Sequence, residues 1–345
     1  MFSVALVGAG RIGGIRARII QSSDDAVLRA VADVDAARAE ALAREAGAMA
    51  APDWRGVVTS PQVDLVVVST PTKFHQEIAI TALEAGKHVL CEKPLARNIQ
   101  EAERMVKAAC SAGRILKTGF NYRHMAHVRK AKELIEAGRL GPLYFLRCRY
   151  GHGGRPGYEK DWCTDHELSG GGVLLEQGIH ILDLVRYLFA EPSALVAQIQ
   201  RFFWAFPVVE DNCFCLLQSE AGQSAQIHVS WTQWINLLHL EIFGRDGYLQ
   251  LEGRDGHYGR QRLTWGKRKA THGRPDEEVF EFSPEDQSWQ WEWREFLDAV
   301  RQGREPLANG WEGLRAQSLV EAAYRSATDG IWVKIPPFEA PVRKP

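Results

Sequence analysis

Up to about residue 119 the chain alternates short apolar runs with amphipathic stretches. Strands are expected at 2–7, 27–32, 63–69, 88–91 and 115–118, with helices starting near 11, 35, 74 and 98. Such alternation predicts βαβ units on a parallel sheet with helices on both faces. The run Val63-Asp64-Leu65-Val66-Val67-Val68 is nearly continuously apolar, as a strand covered on both sides requires. Beyond Tyr122 the period changes. A helix over about 125–137 stops at Gly138, and period-two alternation then marks 143–150, 194–204, 211–218, 224–233, 237–243 and 246–251. Turn signals at 220–222 and 245–247 join consecutive strands, so this sheet should be mostly antiparallel. Helices are expected at about 172–189, 287–302 and 311–328. The fold class is α/β: a doubly wound parallel sheet of the Rossmann type over 1–122, then an α+β domain with a large, mostly antiparallel open sheet over 123–345.

Composition narrows the function. A length of 345 residues suits two domains, and 45% hydrophobic with 25% charged residues is ordinary for a globular protein. Forty-two basic against forty-three acidic residues leave a formal charge of -1, which argues against nucleic acid or anionic lipid as a partner. The N-terminus carries no leader signal, and no stretch approaches the roughly 18 apolar residues of a membrane span. A cytoplasmic protein with no membrane partner is expected. Six scattered cysteines form no paired C-x-x-C site, so no metal is expected, and Cys213 and Cys215 should be packed thiols on one face of a strand. Eleven tryptophans include Trp231, Trp234, Trp289, Trp291 and Trp293. With apolar residues on both faces of the second sheet, they point to helices on one side and another subunit on the other, hence a homodimer or homotetramer.

Candidate chemistry begins at Gly8-Ala9-Gly10-Arg11-Ile12-Gly13, directly after the first strand and opening the first helix. In this context the glycines permit a tight turn, approach of a pyrophosphate, and close helix packing. Twenty residues past Gly13 stands Asp33, beside Val34; its carboxylate would accept the adenosine ribose hydroxyls and repel an extra phosphate, favouring NAD over NADP. Ser69-Thr70-Pro71-Thr72-Lys73-Phe74-His75 and Cys91-Glu92-Lys93-Pro94 end two further strands at the edge where open parallel sheets bind ligands. His75 could cap or pack as readily as meet the nicotinamide half. Lys93 could hydrogen-bond a substrate hydroxyl. Gly170-Gly171-Gly172 precedes a helix on which Glu176, His180 and Asp183, spaced four and three apart, share adjoining parts of one face. A neighbouring carboxylate would there orient His180 as an acid/base.

Together these segments resemble the glucose-fructose oxidoreductase, inositol dehydrogenase and MocA family. The matching pieces are G-A-G-R-I-G at 8–13, S-T-P-T-K-F-H at 69–75, E-K-P at 92–94, G-F-N-Y-R at 119–123, A-G-R-L-G-P at 137–142 and S-G-G-G-V-L-L-E-Q-G-I-H-I-L-D-L at 169–184. The resemblance implies an active site between the two domains, with Lys93 at the reacting hydroxyl, His180 as acid/base, and Thr70, Glu92, Lys93 and Asn121 lining the cofactor side. Two departures stand out. Glu176 replaces the family's aspartate four residues before the histidine, and Trp162-Cys163 replaces a Trp-Arg pair. Substrate selection should fall to the loop at 151–168, with Arg155, Tyr158, Lys160 and Trp162 as candidates beside Glu176 and His180. The implied reaction is reversible oxidation of a secondary alcohol on a sugar or cyclitol. A sugar-nucleotide dehydrogenase, an enzyme recycling a tightly held NAD on a glycoside, and a cofactor-binding regulator remain as alternatives.

Overall fold

The computed structural model describes residues 1–337; positions 338–345, the end of the expected second domain, lie outside the described residues. The chain opens as β1 (Phe2–Val7), α1 (Arg11–Gln21), β2 (Ala26–Ala32), α2 (Ala36–Ala46), β3 (Met49–Ala51), α3 (Trp54–Val58), β4 (Leu65–Val68), α4 (His75–Glu84), β5 (His88–Cys91), α5 (Ile99–Ala112) and β6 (Leu116–Thr118). The strands form one parallel sheet in the order β3-β2-β1-β4-β5-β6. Strand order reverses between β1 and β4, which opens a crevice at their carboxyl ends. All four residues of β4 are fully buried, the burial that its apolar run requires. The strand starts two residues later than expected, because the Asp64 carboxylate instead accepts the Ser3 backbone N–H. Three-residue β3 and five-residue α3 were too short to show a period.

The remainder runs α6 (Ala126–Glu136), β7 (Leu143–Gly151), α7 (His166–Ser169), α8 (Ile179–Leu188), β8 (Pro192–Gln200), β9 (Asn212–Ser219), β10 (Ser224–Ser230), β11 (Leu237–Gly244), β12 (Gly247–Glu252), β13 (Arg262–Lys267), β14 (Asp276–Glu281), α9 (Ser288–Gln302), α10 (Gly310–Asp329) and β15 (Val333–Lys334). Among the described residues nine strands make one sheet in the order β14-β13-β12-β11-β7-β10-β9-β8-β15, antiparallel except for the parallel β7–β10 pair. Sequence reading missed β13 to β15. Edge strand β14 carries Asp276, Glu277, Glu278 and Glu281, a charged pattern that hides its strand character while blocking further pairing. Cys213 and Cys215 do lie buried on one face of β9 as free thiols.

The tryptophans do not form one cluster. Trp231 is sealed in the second core, and Trp293 lies in the first core with Val4, Leu6 and Leu90. Trp289 stacks under Arg16, Trp291 under Arg129, and only Trp234 of the five is largely exposed. Helix α9 therefore covers a face of the first sheet although it follows the second sheet in sequence. Its Glu292 accepts a hydrogen bond of 2.6 Å from Arg16 on α1, whose Nε donates to Glu92 at 2.8 Å. All three side chains are buried. Helix α10 likewise packs on α5 and β6 of the first sheet and on β8 and α8 of the second part. Among the described residues no helix is long and apolar enough to cross a membrane.

Four histidines, His75, His124, His127 and His180, are buried. Burial lowers all four, His127 to about 4 and His124 to about 2. The unfolded chain takes up protons at these rings near pH 6.5, whereas the folded chain resists until lower pH. Their contribution to stability is thus complete above about pH 6.5 and declines as pH falls toward the folded values. The urea midpoint is expected to drop between about pH 7.5 and 5.5, in the direction set by proton uptake on unfolding. A midpoint that held or rose across this window would contradict neutral burial.

Candidate active site

The cofactor end is built by the β1–α1 turn. Gly8 has φ +102°, and a Cβ there would lie 2.6 Å from the Ser69 carbonyl. A Cβ on Gly13 would lie 2.0 Å from the Gly8 carbonyl oxygen, so this glycine lets α1 close onto the turn. At Gly10 a Cβ would meet nothing within 4 Å. Open space there faces an α1 N-terminus with no side-chain cap and no acidic residue in its first turn. Its free N–H groups and partial positive charge suit a pyrophosphate. The Asp33 carboxylate accepts from the backbone N–H groups of Ala9 at 2.6 Å and Asp35 at 2.8 Å, which fixes it beside the turn. Val34 and Arg11 are exposed next to it, and Ile12 is half-buried. Arg38 pairs with Asp35 at 3.0 Å, a helix-surface contact. At the carboxyl edge of β4, Ser69 Oγ and Thr70 Oγ1 are buried without partners. Orphaned hydroxyls, an open glycine cradle and uncapped amides fit a dinucleotide.

Three expected cofactor residues have other partners. His75 sets its two ring nitrogens against the carbonyls of Pro94 at 3.0 Å and Thr70 at 2.9 Å and, as a neutral ring, donates to one of them, so both nitrogens face backbone. Glu92 holds Arg16. Asn121 donates through Nδ2 to Ser288 Oγ at 3.0 Å. His75 thus bears on backbone, and Glu92 and Asn121 on other side chains.

Lys93 projects from the turn after β5. Its Nζ lies 2.8 Å from Glu176 Oε2 and donates to the Glu176 carbonyl at 2.6 Å. Residues Leu174–Gly178 wind as a π-helix before α8 begins. A widened turn changes which residues share a face. The expected Glu176–His180–Asp183 face is therefore corrected: Glu176 turns to Lys93, and Asp183 is held by Arg123 through Nε at 2.8 Å and Nη2 at 2.6 Å. Neither carboxylate hydrogen-bonds His180. Instead the imidazole, 5% exposed, stacks on Tyr122 at 3.9 Å and 7°, with Nδ1 lacking a partner. Burial, then the positive charges of Lys93 and Arg254, push its pKa well below the ordinary value. At neutral pH His180 is an uncharged base.

No motif marks most of the group gathered around Tyr122, on which His180 stacks. The Tyr122 hydroxyl meets that of Tyr150 and accepts from Arg254 Nη1 at 2.7 Å, while the Arg254 guanidinium lies over the Tyr258 ring at 4.3 Å. Only Tyr122 fell inside a recognisable motif. In the 151–168 loop, Tyr158 is buried edge-on to Trp231 at 5.1 Å and Trp204 at 5.6 Å. Arg155 pairs with Asp161, Lys160 is exposed, and Trp162 is exposed beside it. Burial, with Glu176 nearby, raises the Cys163 thiol to about 12, keeping it protonated. Among the described residues no group of three His, Cys, Asp or Glu is placed to hold a metal.

Known proteins match this arrangement in both parts. A family model for oxidoreductases with an NAD-binding Rossmann fold matches residues 2–120, and a GFO/IDH/MocA C-terminal domain model matches residues 128–250. A myo-inositol 2-dehydrogenase of Thermotoga maritima is 29% identical, covering 96% of this chain and 98% of that protein. The structure of an aldose-aldose oxidoreductase from Caulobacter crescentus, complexed with glycerol, superposes with a TM-score of 0.85 at 26% identity, covering 97% and 99% of the two chains. A levoglucosan dehydrogenase in complex with NADH and L-sorbose has the same fold, with a TM-score of 0.88 at 23% identity over 97% and 99%.

The two glycines separate folding from binding. Gly10→Val is expected to leave the melting temperature within about 2 °C of the parent, since no protein atom is displaced, yet weaken NADH binding by about tenfold or more. Gly13→Val should lower the melting temperature itself. Calorimetry and NADH fluorescence titration read the two effects, and tight NADH binding by the Gly10 variant would remove the phosphate cradle.

Proposed function

The chain belongs to the GFO/IDH/MocA oxidoreductase family, and from that premise we propose that it moves a hydride between NAD and a secondary alcohol of a sugar, cyclitol or sugar derivative. The observation that carries this reading is a lysine ammonium fixed twice by Glu176 beside a neutral, buried His180, at the ligand edge of a dinucleotide-binding sheet. Gly8, Gly10, Gly13 and Asp33 would hold the cofactor, with Ser69 and Thr70 along its path. Bound NAD supplies the hydride acceptor.

Lys93 has three N–H donors, and Glu176 occupies two. The third would donate to the substrate oxygen and stabilise the negative charge that grows as the alcohol is oxidised. His180 takes the hydroxyl proton, which its lowered affinity for protons leaves it free to do at neutral pH. In carbonyl reduction the protonated form of His180, whose share grows as pH falls, returns the proton while Lys93 polarises the oxygen. Glu176 positions Lys93 in both directions, and its longer side chain reaches across without help from the α-helical spacing. Pairing of Arg155 with Asp161 removes one of the two cations that a nucleotide-sugar phosphate would need.

The outer face of the nine-stranded sheet supports a homodimer or homotetramer. It presents Phe214 and Leu216, each 41% exposed, beside stacked Phe145, Phe243 and Tyr248. A hollow of about 450 Å³ between Arg147, Arg149, His228 and His239 would receive side chains of a second copy. Six free thiols among the described residues support a reducing, cytoplasmic setting.

Free sugars, cyclitols, sugar acids, glycosides and nucleotide sugars, screened with NAD and NADP at equal concentration, test the activity. Lys93→Ala and His180→Ala should each lower kcat by about 10²- to 10⁴-fold while remaining folded. Because His180 protonates only well below its ordinary value, alcohol oxidation should show no acid limb near pH 6.5. Full activity in either variant, or a limb at that pH, would reject the assignment. Phe214→Glu should shift the sedimentation coefficient toward the monomer; an unchanged assembly would place the interface elsewhere.

A further inference from the structure

Buried arginines in this chain come with carboxylates. Arg16 lies between Glu92 and Glu292, and Arg123 lies between Asp183 and Glu312. Arg254 breaks the pattern. It sits in the loop after β12, partly buried, with Nη1 donating to the Tyr122 hydroxyl and Nε buried without any partner. Its face rests on the Tyr258 ring. Among the described residues no carboxylate forms an ion pair with it.

The position matters as much as the missing partner. Tyr122 lies between Arg254 and His180, hydrogen-bonded to one and stacked on the other. The guanidinium is therefore one phenol away from the proposed base. Glu176 already neutralises Lys93. Of the two cations whose charge reaches His180, Lys93 and Arg254, Arg254 is the one without a carboxylate partner among the described residues. Removing such a charge from water is costly unless a counter-charge arrives with a ligand. Nε is sealed by protein and Nη1 is held by Tyr122, so a carboxylate would meet the guanidinium at Nη2, in a charge-assisted hydrogen bond.

We propose that Arg254 receives the carboxylate of the substrate, so that the preferred class is sugar or cyclitol acids rather than neutral polyols. The carboxylate is a spectator: the bond broken is still the carbinol C–H, with the proton passing to His180. This inference rests on the dehydrogenase reading, and it selects within it. An arginine that served only as a clasp on Tyr258 would leave acid and neutral sugars indistinguishable.

Equilibrium binding to the NADH complex, followed by cofactor fluorescence with D-glucuronate, D-glucose and D-glucose 6-phosphate, decides the matter without requiring turnover. D-Glucuronate should bind about tenfold or more tightly than D-glucose. Arg254→Gln should bring that ratio toward one, and Arg254→Lys should restore part of it. Should Arg254→Gln fail to fold, the preference of the unmodified protein still tests the proposal. Equal or weaker binding of the acid, a preference that survives Arg254→Gln, or tightest binding of the phosphate ester would each overturn it. Failure of the dehydrogenase reading shows separately, as absence of NAD reduction with every sugar.

Discussion

A single guanidinium sets the geometry of the crevice. Arg16 on the cofactor-binding helix is clamped between Glu92, 76 residues away, and Glu292, 276 residues away. Breaking a buried pair strands a charge, at a cost of about 3–5 kcal/mol, so α1, the turn after β5 and α9 are locked to one another. Lys93 is the residue after Glu92. The proposed proton-handling lysine therefore inherits its position from a clamp set beneath it, and the same clamp orients the helix whose uncapped N-terminus would face the cofactor phosphates.

On the other wall, order comes from a different source. Arg123 consumes Asp183, and the π-helical turn sends Glu176 toward Lys93. His180 is left with an aromatic neighbour instead of a carboxylate. A carboxylate would stabilise the protonated imidazole, whereas burial against Tyr122, and then the charges of Lys93 and Arg254, favour the neutral form. In the proposed reaction the two walls would separate their duties: a fixed cation for the substrate oxygen and an uncharged acceptor for its proton.

Much of this was legible in the sequence, unevenly. The parallel sheet was readable because both-face burial writes continuous apolar runs, and the phosphate turn because each glycine answers a steric demand. Lys93 followed from strand-end geometry. What the sequence concealed depends on long-range partners: His75, Glu92 and Asn121 carry polar groups suited to a cofactor, yet their contacts are to a carbonyl pair, Arg16 and Ser288. The face shared by Glu176 and His180 was misread because spacing rules assume α-helical winding, and nothing in Leu174–Gly178 marks a π-turn. Arg254 lay in a loop without motif, and only its neighbours in space give it meaning.

Helix α9 has a consequence for the order of synthesis. The first sheet is complete by Thr118, but Trp293, Phe296 and Leu297, which seal its face against Val4 and Leu6, emerge about 170 residues later. At roughly 5–20 residues per second this is a wait of order ten seconds or more. During that interval an apolar face and an Arg16 paired with Glu92 alone await the helix. The apolar face of the dinucleotide domain is thus completed last, by a helix from the far end of the chain.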